Sequence, residues 1–143
     1  MRALGSNVLF AALVATTVAW AGPNRITGHT HVLDGDTVIV DGWRVRLKGV
    51  DATELGSSDG DHARDVMRDI VGPRGILRCE LTGEKTRGRE VGFCTRPDGL
   101  DVNREIIARG AALACQRYSD RYLSDETAEA RARLQRARYC VRQ

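Results

Sequence analysis

The sequence predicts an α+β fold: a five-stranded β-barrel with about three helices packed on it, formed by residues 22–143 of a 143-residue chain. Three observations carry this. Three consecutive runs alternate apolar with polar and are joined by tight turns; the pattern then switches to helical period over residues 61–71; two further strand-like runs and capped helical patterns follow.

Ile26 to Leu33 alternates and reads as the first strand. Thr37-Val38-Ile39-Val40 and Trp43-Arg44-Val45-Arg46-Leu47 are the second and third, with Asp41-Gly42 between them as a two-residue turn of positive φ. Asp61 to Val71 has Ala63, Val66, Met67, Ile70 and Val71 on one helical face, closed by Gly72-Pro73. Ile76 to Leu81 and Glu90 to Thr95 complete five strands, separated by the polar loop TGEKTRGR. Beyond the turn Pro97-Asp98-Gly99, Asp101 is placed to cap a short helix carrying Val102, Ile106 and Ile107 and stopped by Gly110. Ser124 is expected to cap a last helix, with Asp125 and Glu126 in its first turn, Arg133, Arg136 and Arg138 in its last turns, and Ala130, Leu134, Ala137 and Val141 on its apolar face. A meander, a helix, two more strands and flanking helices match the OB-fold, the oligonucleotide/oligosaccharide-binding barrel.

Residues 1–21 read as a signal peptide rather than as part of this domain. Arg2 is a short positive start, Val8 to Val18 is free of charge, and Ala19-Trp20-Ala21 offers small residues for cleavage after Ala21. The apolar run is shorter than the roughly 20 residues of a spanning helix. The expectation is a periplasmic or secreted protein, free of the membrane after cleavage and monomeric. An oxidising compartment favours disulfides among Cys79, Cys94, Cys115 and Cys140. Cys79 and Cys94 lie in consecutive strand-like runs, so a bridge across that hairpin is favoured, which leaves Cys115 to Cys140; four cysteines nevertheless admit three connectivities. The absence of any Cys-x-x-Cys spacing argues against a zinc site.

With 42% hydrophobic and 29% charged residues, the composition excludes fibrous and disordered classes. The formal net charge is +3, too small to identify a partner. From Arg104 onward nine arginines face five acids, which suits either a polyanion or a solvated helical surface.

Chemistry concentrates in DGDTVIVDGWRVRLKGVDATE, residues 34–54. Carboxylates massed at neighbouring strand ends repel one another unless a positive charge sits between them, and a hard cation such as Ca²⁺ is the natural one. Asp36 and Asp51 are its candidate ligands, with Asp34 adding negative potential. Taken alone, DGDT also reads as a turn whose aspartates bond their own backbone, and Asp51-x-x-Glu54 as a capping pattern. Arg46, on the strand leading into Asp51, and Arg89, after the Arg87-Gly88 turn, change that balance. Two guanidiniums and a divalent ion around a phosphodiester meet the charge that develops in phosphoryl transfer, and Glu54 is the carboxylate left to activate water.

VLDGDTV (32–38), RLKGVDATE (46–54), RGR (87–89) and DGLDVNREIIARGAA (98–112) stand in the order of the staphylococcal nuclease (thermonuclease) family, which the chain resembles from Ile26 to about Ala137. The resemblance implies Ca²⁺-dependent hydrolysis of DNA and RNA, preferably single-stranded, with little sequence specificity. It implies Asp36 and Asp51 as side-chain metal ligands, Ala52 as a backbone-carbonyl ligand, Arg46 and Arg89 as phosphate-binding residues, and Glu54 as general base. Ala52-Thr53 departs from the family's Thr-Pro, and the loops 55–61 and 81–89 are short. Arg87 stands where an aromatic stacks on the nucleotide and is expected to bind substrate, as is Tyr118 beside the arginine-rich segment. Tyr139-Cys140 replaces the terminal Gly-Leu-Trp, so anchorage there falls to a disulfide worth about 2–4 kcal/mol. The competing expectation is a nucleic-acid-binding module of the same fold without catalysis.

Overall fold

A computed structural model describes residues 22–142; the expected signal peptide, residues 1–21, lies outside the described residues. Five strands, β1 (Arg25–Val32), β2 (Thr37–Val40), β3 (Trp43–Leu47), β5 (Ile76–Thr86) and β6 (Arg89–Thr95), close a barrel in the order β1-β2-β3-β6-β5. Every pairing is antiparallel except β3 with β6, which run parallel. Two two-residue strands, β4 (Val50–Asp51) and β7 (Leu113–Ala114), form a small separate sheet that the sequence reading did not anticipate. Helices α1 (Ser58–Val71), α2 (Val102–Ala108) and α3 (Ala128–Arg133) complete the fold, with 3-10 turns at Leu123–Asp125 and Arg138–Cys140.

The β2–β3 hairpin forms as its sequence dictates, with Asp41 and Gly42 at φ 48° and 80°. Alternation buries Val38, Val40, Val45 and Leu47 in the barrel, where they join Leu77 and the helical residues Met67, Ile70, Ile106 and Ile107 in one core. Asp101 caps α2 by accepting from the Arg104 N–H, as expected.

Three boundaries differ from expectation. Helix α1 begins at Ser58, where Ser57 accepts from the Gly60 N–H, so Asp61 lies inside the first turn rather than opening it. Strand β5 runs through the presumed loop to Thr86, and the actual turn is Arg87-Gly88, both at positive φ. This long arm projects past the core with both faces polar, so its composition reads as a loop; a register shift between Leu81 and Lys85 interrupts it. Helix α3 is capped by Thr127 rather than Ser124 and ends at Arg133, with Leu134 already extended. Tertiary ties override its helical pattern: beyond Leu134 the chain reaches out to Asp51 and to a disulfide, and Val141, expected on the apolar face, is half exposed.

Both disulfides are present with the favoured pairing, Cys79–Cys94 between directly opposed residues of β5 and β6 and Cys115–Cys140 across the C-terminal segment. No helix among the described residues is long and apolar enough to cross a membrane.

Candidate active site

At the end of the barrel where β2 begins, the loop from Leu33 to Asp36 turns back on itself. Asp34 accepts from the Asp36 N–H at 2.9 Å, so it takes the turn role that DGDT admits and leaves Asp36 free for another. Gly35 permits a close approach: a Cβ there would lie 2.7 Å from the Cβ atoms of both Ala52 and Ala63, so this loop seats against the 51–54 segment and α1 only because the residue is glycine. The same device sets Glu54. Gly60, in the first turn of α1, comes so near the Glu54 carbonyl that a Cβ would overlap it, and the Ser57 hydroxyl donates to that carbonyl at 3.3 Å.

Asp36 is the hub of the site. It is 8% exposed and forms an ion pair with Arg46. The hairpin register places Thr37 directly across from Arg46. The Thr37 hydroxyl donates to Asp36 at 3.0 Å and accepts from Arg89 Nη1 at 3.2 Å, and the Ala52 N–H donates to Asp36 at 3.3 Å. One connected network therefore joins Arg46, Asp36, Thr37 and Arg89 with the backbone just after Asp51. Thr37, which sequence reasoning did not single out, links Asp36 to Arg89, and its place opposite Arg46 follows from the hairpin turn.

Burial pushes the Asp36 carboxyl up to about 7, with Asp34 adding to the rise and Arg46 and Thr37 opposing it. Burial likewise raises the Asp51 carboxyl, against the Ala137 N–H, which donates to it at 2.7 Å, and against the Arg46 and Arg136 guanidiniums. Burial works to lower the Arg46 guanidinium, but Asp36, Tyr139 and Asp34 carry it above its ordinary value.

A cleft of about 710 Å³ opens here. Asp36, Arg46, Glu54, Arg87, Arg89 and Tyr118, expected from sequence to act together, all line it. Asp51 and Ala52 do not; they are buried behind its wall, joined to it through the Ala52–Asp36 hydrogen bond. Lys48, Lys85 and Tyr139 also line the cleft and were not anticipated. Tyr139 stands close enough to the centre for its phenol, raised chiefly by burial, to feel Arg46, Asp51, Asp36 and Glu54 together.

Among the described residues no three His, Cys, Asp or Glu side chains gather as a ready metal cage, and His29, His31 and His62 are exposed. A cation here would be held by two carboxylates, with backbone carbonyl and water completing its shell. That donor set fits a hard ion: every donor is oxygen, and both carboxylates are desolvated beyond what their present partners offset.

The arginine-rich C-terminal third resolves toward the structural reading. Arg104, Arg109, Arg121, Arg133, Arg136 and Arg142, six of the nine, are ion-paired with acids, and Arg121 also stacks on Phe93 at 4.9 Å. In the cleft Arg46, Lys48 and Lys85 are likewise paired with acids, whereas Arg87 and Arg89 have no acidic partner among the described residues.

No protein-family model matches the chain. It is 36% identical over 122 residues to the succinoglycan biosynthesis protein ExoI of Rhizobium meliloti (strain 1021), an alignment covering 78% of this chain and 62% of that protein. It is 32% identical over 92 residues to proteins named uncharacterized endonuclease from Escherichia coli O157:H7 and from Escherichia coli, covering 62% of this chain and 60% of each. The chain thus spans about three fifths of the length of the relatives it matches.

Proposed function

We propose that this protein is an exported phosphodiester hydrolase of the staphylococcal nuclease type, acting on DNA and RNA with the aid of Ca²⁺. The observation that carries the reading is the network Arg46–Asp36–Thr37–Arg89 on the wall of a cleft that Glu54 also lines. Two relatives named endonuclease point the same way, and two disulfides suit an oxidising compartment.

In this reading Arg46 and Arg89 bind the phosphate and set it in place, meeting the negative charge that grows on its oxygens as water adds and the phosphorus–oxygen ester bond breaks. Glu54, exposed and not engaged with Asp36, accepts the proton of the attacking water. Asp36, Asp51 and the Ala52 carbonyl would hold the cation, which supplies further positive charge against the phosphate. Arg87 and Tyr118, exposed on the cleft rim, contact the flanking nucleotides, which suits a single strand whose bases are free to meet them.

The test is cleavage of single-stranded DNA and of RNA by purified protein with Ca²⁺, then with excess chelator. Loss of cleavage with the chelator supports the assignment, and activity that survives it removes the cation from the reaction. Tight oligonucleotide binding with no cleavage in any divalent ion would point to the non-catalytic module instead.

A further inference from the structure

The C-terminal segment that follows α3 does more than close the fold. It is fastened on both sides of the candidate site. On one side Arg136 forms an ion pair with the buried Glu126 at 2.7 Å, and Glu126 in turn accepts from the Ala114 N–H of β7. On the other, Cys140 is bonded to Cys115, and the Arg117 N–H donates to the Cys140 carbonyl at 3.2 Å. Between these two ties the Ala137 N–H holds Asp51, and Tyr139 enters the cleft.

Tyr139 and Tyr118 form a pair, with ring centroids 6.5 Å apart and planes inclined at 50°. They are 46% and 51% exposed, so neither ring is packed away. The Cys115–Cys140 bond is what unites them: Tyr139 directly precedes Cys140, and the Tyr118 N–H donates to the Cys115 carbonyl at 3.1 Å. Cys115 and Cys140 are both buried, which suits a static fastening rather than a bond that opens in use.

We propose that Tyr139, held against Tyr118 by the Cys115–Cys140 disulfide, is a substrate-contact residue that receives the nucleobase next to the phosphate bound at Arg46 and Arg89. The proposal rests on the nuclease reading and adds to it a residue and a disulfide with a positioning role. Two inclined aromatic faces beside a phosphate site offer any base a stacking surface, whatever its sequence. An untied Cys140 would release that surface while the Arg136–Glu126 pair still held Ala137.

The experiment compares wild type, Y139A, Y139F and C115A/C140A on a short single-stranded oligonucleotide and on the same strand with abasic sugars flanking the cleavable bond. Y139A is expected to raise KM about ten-fold on the normal strand, with a smaller change in kcat, and Y139F to recover most of that loss. On the abasic strand wild type and Y139A should share one KM. C115A/C140A, assayed below its melting temperature, should show the KM defect of Y139A. A KM within two-fold of wild type in Y139A or in C115A/C140A overturns the proposal, as does an equal rise on the abasic strand. Should wild type cleave neither strand, the nuclease reading fails by itself. Fluorescence anisotropy on the normal strand then decides the contact: a ten-fold weaker Kd in Y139A retains it, and equal Kd values remove it.

Discussion

Asn103 offers a measure of how firmly the helices hold the site. It is fully buried in α2 and reaches into the parallel seam between β3 and β6, the barrel junction without an antiparallel ladder. Its Oδ1 accepts from the Cys94 N–H at 3.0 Å, while Nδ2 donates to the Lys48 and Gly92 carbonyls at 3.0 and 3.2 Å. Replacing it by leucine, of similar size, deletes all three bonds. Gly92 keeps the Lys48 N–H as donor, so two groups, the Cys94 N–H and the Lys48 carbonyl, lose the partner Asn103 gave them. At about 1–3 kcal/mol per orphaned group, Asn103→Leu should cost roughly 4 kcal/mol. For a domain of this size that lowers Tm by about 12–20 °C. Urea unfolding followed by far-UV circular dichroism measures the loss directly. Asn103→Asp sharpens the test: it keeps the acceptor for Cys94 but turns a carboxylate toward two carbonyls. It should therefore be badly destabilised at pH 8 and partly recover at pH 5, where the protonated acid can donate. A loss under 1 kcal/mol in Asn103→Leu, or no pH dependence in Asn103→Asp, would refute the view that this side chain ties the seam.

The other expectations concern the cleft. Glu54→Gln and Arg89→Ala should each lower kcat by about 10²–10⁴ while oligonucleotide binding persists, as single-turnover assays and anisotropy would show; Glu54→Gln cleaving at the native rate removes the assignment of the base. Gly60→Ala puts a Cβ into the Glu54 carbonyl, so α1 and the 54–57 turn must part; turnover should fall with Glu54 intact, and a variant of native stability and native turnover would contradict the contact. Asp36, with its folded pKa raised to about 7, favours the protonated fold. Its stabilising contribution is complete below the unfolded pKa near 4 and is lost as pH rises through about 7. Without divalent ions, the stability of wild type relative to Asp36→Asn should thus decline from pH 4 to pH 8 in urea titrations, and a difference that rises over that range reverses the sign argued here.

How much of this was legible in the residues depends on whether a local rule or a distant partner decides each feature. Asp41-Gly42 admits few conformations, so the β2–β3 hairpin and its register follow from two letters, and with them the placing of Arg46 opposite Thr37. The Asp101 cap and the Gly72 stop are equally local. Strand β5 past Leu81 was not legible, because a hairpin arm wet on both faces carries no apolar period. The last helix failed for the opposite reason: residues 134–141 have helical spacing, yet the Asp51–Ala137 bond, the Arg136–Glu126 pair and the Cys115–Cys140 bridge hold them out of the α-helix, with 134–137 irregular and only a 3-10 turn at Arg138–Cys140. Each of those partners lies at least ten positions away, beyond the reach of any window. The same division runs through the site. Asp36, Arg46, Glu54 and Arg89 carry charges that need explaining wherever they occur, so the sequence exposes them. Thr37 and Tyr139 are ordinary residues that stand out only for what they touch, and Tyr139 lines the cleft beyond the early end of helix α3. The helix that sequence reasoning extends too far is therefore the reason the second tyrosine was missed.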